Sequence, residues 1–305
     1  MSRDGLTLVV GYEFEYMTVF TRSSETEEWA PQATLTVTPY TSLVAISADG
    51  DRLLVGGTWG NADKKDPEEP PREFDRSGEV WAEAEAPPVL ASQRCGSVVL
   101  SNDGNTALLG CTEWSGEKEF GAYVLVFVRS GSSWVQQGGP LTGSGEKSKD
   151  EFGGRMALSA SGNTALIGGP YNIGKKGEVW VFQRSGESWS QQGPPLAQPE
   201  KKKYSKLLGA SLALSADGNL ALVGAPGVEF DEKPSRNTSS VYVYSRAGES
   251  WSFAQKIQID RHVNNEEFSS EFGRYLALSE SGTMALIPRQ VGGGPVYSLL
   301  EIFSQ

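Results

Sequence analysis

The chain has 305 residues, of which 38% are hydrophobic and 21% charged, a balance typical of a globular protein with a sizeable core. Its formal net charge of −11 and pI near 4.8 exclude the basic surface that nucleic-acid binding requires. No apolar run reaches the roughly 18 residues needed to span a bilayer, and the first residues lack the charged and apolar stretches of a secretory signal.

One sequence unit recurs along the chain. The segment LALSADGNLALVGAP at residues 212–226 returns, with changes, at residues 44, 98, 156 and 276, and a shortened copy opens the chain. An arginine and then a tryptophan follow each of the first five copies. The turn glycine of the unit recurs at Gly5, Gly50, Gly104, Gly162, Gly218 and Gly282. Because the two markers stay in step five times, the sequence establishes a repeat about as long as one blade of a β-propeller.

Each complete repeat is predicted to hold four short strands. In chain order the predicted repeats cover residues 2–35, 42–90, 95–141, 152–196, 208–257 and 272–305. In the fourth repeat the predicted strands are residues 155–159, 164–168, 178–183 and 188–192. Ser-Gly and Asp-Gly turns between β-prone runs predict hairpins, so each repeat is an antiparallel meander. The third run, residues 179–182, is large and apolar throughout, which predicts a strand buried on both faces.

Three repeats depart from this pattern. The first lacks its first strand, and the sixth stops before its fourth strand, which gives 22 predicted strands. In the second repeat, Pro67, Pro70 and Pro71 crowd the third strand and predict that it is short, because proline cannot donate a ladder hydrogen bond.

Four-stranded antiparallel units that repeat radially bury faces that no single sheet buries alone. The sequence therefore predicts an all-β fold, a β-propeller of about six four-stranded blades that forms a single domain over residues 1–305. A solenoid is the weaker alternative because the strands are antiparallel. Seven blades is the alternative if the chain is a fragment of a longer protein.

The repeats resemble the FG-GAP repeat family of integrin α-subunit propellers and many surface proteins. The matching residues are Phe152-Gly153 with GGP at residues 168–170, Leu208-Gly209 with GAP at residues 224–226, and Phe272-Gly273. The resemblance implies a propeller and roles in cell adhesion, carbohydrate binding or scaffolding.

The resemblance also brings an expectation about calcium. Integrin-type repeats often carry an aspartate-rich DxDxDG loop, which is shortened here to SADG, as at residues 47–50 and 215–218. Because calcium takes about six to eight oxygen ligands, a turn with one carboxylate predicts no metal site of that type. No other cofactor is expected.

The two cysteines, Cys95 and Cys111, flank one predicted hairpin. Repeat alignment matches Cys95 with Gly153 and Cys111 with Ala225, and a three-residue turn at residues 102–104 would set the cysteines opposite each other. Paired antiparallel strands bring Cα atoms to about 4.5 to 5.5 Å, a separation that allows a disulfide. The alternative is two free buried thiols. A disulfide would imply an oxidising compartment, at the cell surface or outside the cell.

Aromatic residues fall into two groups. Five recur at one repeat position and are predicted to pack between blades: Trp29, Trp81, Trp134, Trp189 and Trp251. Three others follow a second strand, in loops predicted to share one rim: Trp59, Trp114 and Tyr171. Exposed aromatic rings stack on sugars or anchor protein partners, so these three are ligand-binding candidates. The alternative is that they cover loop backbone.

These observations favour a non-enzymatic module that binds a protein or a glycan through one loop face. His262 is the only histidine, which excludes multi-histidine metal sites. Connections between repeats vary in length and charge while the strands stay uniform, as is typical of binding loops on a rigid frame. The alternatives are a structural subunit of a larger assembly and a carboxylate-dependent hydrolase or lyase.

Overall fold

The chain forms β-strands and turns throughout the part that our computed structural model describes. All the strand pairs of its sheets are antiparallel. Within this part of the chain, no helix is long and apolar enough to cross a membrane. The structure describes residues 1–11, 16–37, 43–57, 69–115, 118–145, 151–171, 177–196, 198, 207–226, 239–258, 272–291 and 294–301.

The chain divides into two compact units, residues 1–141 and 142–305, each with three repeats. The first unit holds three sheets. The strands of its first sheet are β1 (Thr7–Gly11), β2 (Tyr16–Thr21) and β3 (Ala30–Thr36). Those of its second sheet are β4 (Val44–Ile46), β5 (Arg52–Val55), β6 (Arg72–Ser77) and β7 (Val80–Ala84). Those of its third sheet are β8 (Gln93–Leu100), β9 (Thr106–Ser115), β10 (Lys118–Ser130) and β11 (Ser133–Gln136).

The second unit also holds three sheets. The strands of its first sheet are β12 (Arg155–Leu158), β13 (Thr164–Gly169), β14 (Glu178–Ser185) and β15 (Ser188–Gln191). Those of its second sheet are β16 (Ser211–Leu214), β17 (Leu220–Ala225), β18 (Ser240–Ala247) and β19 (Ser250–Gln258). Those of its third sheet are β20 (Ala277–Leu278), β21 (Met284–Val291) and β22 (Gly294–Glu301).

The predicted meander is confirmed, because each repeat forms one sheet whose strands pair in chain order. The first and sixth repeats have three strands each, as predicted, and the described residues form 22 strands in all. The third strand of the second repeat, β6, begins directly after Pro71 and has 6 residues, against 8 in β14 and in β18. The strand thus begins only after the last of the three prolines, as predicted, although β2, its counterpart in the first repeat, also has 6 residues.

The turn between the first and second strands of a repeat is closed by a serine. In the second repeat the Ser47 hydroxyl donates to the Asp49 carboxylate and accepts the amide N–H of Arg52 at 2.9 Å. The carboxylate of Asp49 in turn accepts the amide N–H of Asp51 at 3.0 Å. Gly50 follows with a φ of +74°, and a Cβ there would lie 2.6 Å from the Thr7 hydroxyl of the first repeat. The turn therefore requires glycine both for its backbone angle and for the approach of the neighbouring sheet.

Successive turns are joined by backbone hydrogen bonds within each unit. In the first unit the amide of Arg3 donates to the carbonyl of Ala48, and the amide of Ala48 donates to that of Asn102, at 3.0 and 2.8 Å. In the second unit Ala160 donates to Ala216 and Ala216 to Glu280, each at 3.0 Å. The repeats of one unit are therefore in register with one another at this end.

The core of each unit lies between consecutive sheets. In the first unit one apolar cluster joins the first and second repeats and another joins the second and third. In the second unit equivalent clusters join the fourth repeat to the fifth and the fifth to the sixth. Residues 179–182 of β14 are buried at every position, which confirms a strand covered on both faces.

The glycines of the Phe-Gly and Gly-Gly-Pro segments contact each other between neighbouring repeats. A Cβ on Gly168 of the fourth repeat would lie 2.5 Å from the carbonyl oxygen of Gly209 in the fifth. The same contact recurs between Gly224 and the carbonyl of Gly273. Because backbone meets backbone here, no side chain fits.

Within each unit, recurring tryptophans hydrogen-bond to the preceding repeat. The indole N–H of Trp81 donates to Gln32 at 3.0 Å, and that of Trp251 donates to Gln192 at 3.1 Å. These bonds confirm for both residues the predicted packing between repeats. An arginine of the same hairpin lies over each ring at 4.6 to 5.8 Å, in the pairs Arg22–Trp29, Arg76–Trp81, Arg129–Trp134, Arg184–Trp189 and Arg246–Trp251.

Candidate functional site

The two ends of every repeat differ in character. Because the strands alternate in direction, the turns from first to second strand and from third to fourth strand lie at one end, which we call the turn end. The connections from second to third strand, and those that lead into the next repeat, lie at the opposite end, the loop end. At the turn end the same short, hydrogen-bonded turns recur. At the loop end the connections share no common length.

Second-to-third-strand connections show this variation directly. The connection is residues 116–117 in the third repeat, 170–177 in the fourth, 226–239 in the fifth and 56–71 in the second. A frame that holds its strands constant while one set of loops varies is the usual arrangement of a binding surface.

The three aromatic candidates have different placements. Trp59 lies outside the described residues. The sequence predicted Trp114 to lie in a loop, but the residue lies in β9. Its backbone pairs with Glu119 in a long β9–β10 hairpin, and its side chain is outside the described part of the structure. Tyr171 lies two residues after the end of β13, at the loop end, and its side chain is 38% exposed. Trp114 and Tyr171 thus both lie towards the loop ends of their own repeats.

A disulfide joins Cys95 in β8 to Cys111 in β9, with the Cα atoms 4.0 Å apart. Both side chains are buried. The register behind this pair differs from the expected one, because Ser101 and Thr106 close a four-residue turn rather than a three-residue turn. A bulge between Cys95 and Ser97 then shifts the pairing by one residue and sets the cysteines opposite each other.

A buried cluster of charges joins the second and third repeats. The Glu73 side chain in β6 has no exposed surface, and it accepts hydrogen bonds from the Arg129 guanidinium and the Trp134 indole N–H of the third repeat. Nε of Arg52 lies 3.2 Å from Glu73 and 2.9 Å from Asp75. Burial raises the pKa of the Glu73 carboxyl, against the opposing effects of the Trp134 hydrogen bond and the Arg129 charge. This carboxyl therefore serves packing between repeats, because its oxygens are occupied and closed to solvent.

Sequence reasoning missed this cluster, although the repeat alignment contains its signal. Three residues before the marker arginine stands a valine in the other complete hairpins, namely Val19, Val126, Val181 and Val243, whereas the second repeat has Glu73. Three residues after the marker tryptophan stands Gln32 or Gln192, whereas the second repeat has Ala84. Since Ala84 offers Trp134 no acceptor, Glu73 takes that role.

Two aspartates with lowered pKa values belong to the serine-closed turns. Partial burial acts to raise the pKa of Asp49, but the hydrogen bonds from Ser47 and Asp51 outweigh it and hold this pKa below its usual value. Asp217 is held low in the same way. Among the described residues no group of three histidine, cysteine or acidic side chains could hold a metal ion, and His262 lies outside them.

No protein family matches the chain, and a search of curated proteins finds no match either. Solved structures do match it. The Dos1 propeller is 14% identical and matches over 100% of this chain and 78% of its own, with a TM-score of 0.53. The fold is that of a β-propeller.

Two further solved structures that match the chain are proteins of other kinds. A hypothetical selenium-binding protein from Sulfolobus tokodaii is 12% identical over 93% of this chain and 67% of its own, with a TM-score of 0.61. A putative 6-phosphogluconolactonase from Bacteroides uniformis is 12% identical over 98% of this chain and 86% of its own, with a TM-score of 0.55. Because the sequence identities are this low, these matches show the fold alone.

Proposed function

We propose that this chain is a non-enzymatic recognition module that binds a protein or a glycan at the loop ends of its repeats. The observation that carries the proposal is the contrast between the two ends. Serine-closed turns and backbone bonds between repeats occupy the turn end, whereas connections of widely different length occupy the loop end. Tyr171 offers an exposed ring there, of the kind that stacks on sugars or fills a pocket on a protein.

We further propose that the repeats are of the FG-GAP type and that the protein works at the cell surface or outside the cell. The contact of Gly168 with Gly209, and its copy in the next pair of repeats, gives the Phe-Gly and Gly-Ala-Pro segments a joint packing role. The Cys95–Cys111 disulfide supports an oxidising compartment.

The binding proposal is tested with three single variants, Trp59→Ala, Trp114→Ala and Tyr171→Ala, on a glycan array and in pull-downs from cell-surface extracts. The control is Phe253→Ala, an aromatic residue of β19 that is 42% exposed, close to the exposure of Tyr171. We expect at least one loop-end variant to lose most of the binding while Phe253→Ala keeps it. Binding that survives all three substitutions would contradict the assignment of these residues.

The second candidate is a structural subunit of a larger assembly. The observation that favours it is that the buried charge cluster of Glu73, Arg52 and Arg129 serves to join two repeats. Stable co-purification with another subunit, together with an empty glycan array, would favour this role over recognition.

A further inference from the structure

One position in the strand that carries the marker arginine varies from repeat to repeat, although the positions after it are uniform. The next residue is a valine in four of the five repeats, and the one after that is always phenylalanine or tyrosine. The variable residue lies four places before the marker arginine and is Thr18, Arg72, Leu125, Trp180 or Tyr242. Such variation within a uniform strand indicates that this side chain serves something other than the common core.

In the second repeat this side chain holds the chain that enters the repeat. The guanidinium of Arg72 donates to the carbonyl of Thr36, the last residue of β3, at 2.7 Å. It also forms two hydrogen bonds of 2.8 Å with the carboxylate of Glu83, which lies opposite Phe74 in the β6–β7 ladder. The variable position and its neighbour on the fourth strand thus act as a pair.

The fourth repeat uses the same two positions with different side chains. The indole N–H of the fully buried Trp180 donates to the carbonyl of Ser144 at 3.0 Å. Gln191, at the position of the glutamate in the second repeat, accepts the amide N–H of Ser144 at 2.8 Å and donates to its hydroxyl at 2.9 Å. A Cβ on Gly143 would lie 2.5 Å from the indole ring, so its backbone packs directly against that ring. Residues 142–145, which we call the entry segment, are therefore fixed to the fourth repeat.

The third repeat separates the two tasks of the glutamine. Gln136, at the position of Gln191, donates to the carbonyl of Gly138 at 3.0 Å, and Gln191 makes the equivalent bond two residues further along the chain at 2.7 Å. The variable position of the third repeat is Leu125, which has no side-chain donor. The bond to the glutamine's own turn is thus common to both repeats, whereas the bonds to the entry segment are specific to the fourth.

We propose that Trp180 and Gln191 are positioning residues, which hold the entry segment in one conformation as part of the ligand-contacting surface at the loop end. This inference rests on the proposed function, because it adds residues to the same surface. Trp180 pairs with Ile167, four residues before the exposed ring of Tyr171, so the entry segment and that ring belong to the same repeat of the second unit. A segment that is already ordered spares the ligand the entropy cost of ordering it.

Amide hydrogen exchange tests whether the pair holds the segment. In Gln191→Ala the amide of Ser144 loses its acceptor, and we expect it to exchange at least about tenfold faster than in the wild type while the urea midpoint of unfolding stays the same. Trp180→Phe, which removes the donor to the Ser144 carbonyl, should change the rate in the same direction. Gln136→Ala is the matched control and should leave the rate unchanged. An unchanged rate in Gln191→Ala would overturn the proposal.

The glycan array and the cell-surface pull-downs test the role in recognition. We expect Gln191→Ala and Gly143→Ala to raise the protein concentration for half-maximal binding at least about tenfold, while Gln136→Ala binds like the wild type. Gly143→Ala leaves both positioning residues in place and displaces only the segment, because its Cβ meets the indole ring. If Tyr171→Ala loses the binding but Gln191→Ala and Gly143→Ala keep it, the proposed function stands and this inference is overturned. A wild type that binds nothing in either assay would overturn the proposed function and this inference with it.

Discussion

Replacing Glu73 with valine would show what the buried charge cluster contributes. The change gives the second repeat the residue that its counterparts have, but it removes the acceptor of the Arg129 guanidinium and of the Trp134 indole N–H. Breaking a buried ion pair by deleting one partner typically costs about 3 to 5 kcal/mol. Because Asp75 stays within 2.9 Å of Arg52 and 3.7 Å of Arg129, we expect a loss near the lower limit, about 3 kcal/mol.

The structure also indicates how to restore the lost stability. Position 84 lies directly opposite Glu73 in the β6–β7 ladder, as Gln192 lies opposite Val181 in the fourth repeat. The triple variant Arg52→Thr/Glu73→Val/Ala84→Gln would therefore give Trp134 a glutamine acceptor. It also removes the buried Glu73 carboxylate together with Arg52, the cation 3.2 Å from it. We expect its free energy of unfolding to lie within about 1 kcal/mol of the wild type, or above it.

Urea unfolding followed by tryptophan fluorescence measures these differences. The matched control is Glu83→Val, which removes an exposed carboxylate paired with Arg72 at 2.8 Å and should cost no more than about 1 kcal/mol. The reasoning is refuted if Glu73→Val costs no more than Glu83→Val, or if the triple variant is as unstable as Glu73→Val alone.

Three further sets of substitutions test the protonation of Glu73, the disulfide and the glycine contact between repeats. Burial raises the pKa of the Glu73 carboxyl above its unfolded value of about 4.3, so the folded protein keeps this carboxyl protonated to a higher pH than the unfolded chain does. The contribution of this group to stability is therefore lost as pH rises through the folded-state pKa. Glu73→Gln does not titrate, so it should gain stability relative to the wild type as pH rises above the unfolded value of about 4.3 in urea titrations, and a constant difference would contradict the shift. Replacing Cys95 and Cys111 with alanine should lower the free energy of unfolding by about 3 kcal/mol and abolish any effect of reductant; equal stability would show that the crosslink contributes nothing. Gly168→Ala should cost about 1 to 3 kcal/mol by thermal melting because its Cβ meets backbone, whereas Gly139→Ala, in open space, should be neutral; equal costs would argue against the contact.

The repeat pattern was sufficient to predict the strands, because every copy carries the same turn and the same apolar runs. The serine of the turn closes it locally, so residues near in sequence determine its structure. The truncated first and sixth repeats and the effect of Pro71 on β6 follow from the same local rules.

Contacts between repeats were harder to predict, because they depend on residues about 50 positions apart. The predicted pairing of the two cysteines is correct although the predicted turn is one residue too short. The bulge at Cys95 compensates for the extra turn residue. The role of Glu73 could not be predicted without the contact between Trp134 and the preceding repeat, where Ala84 offers no hydrogen-bond acceptor. The three aromatic ligand-binding candidates stay predictions, as do the single domain over residues 1–305 and the number of blades.

Amide hydrogen exchange tests most directly whether the sheets of a unit stand face to face. The amides of Ala160 and Ala216 lie in turns, and each donates to the turn of the following repeat. We expect both to exchange at least about 100-fold more slowly than the amide of Glu187 in the exposed β14–β15 turn, because exchange requires the repeats to separate. Equal exchange rates at the three amides would contradict the side-by-side packing on which the loop-end surface depends.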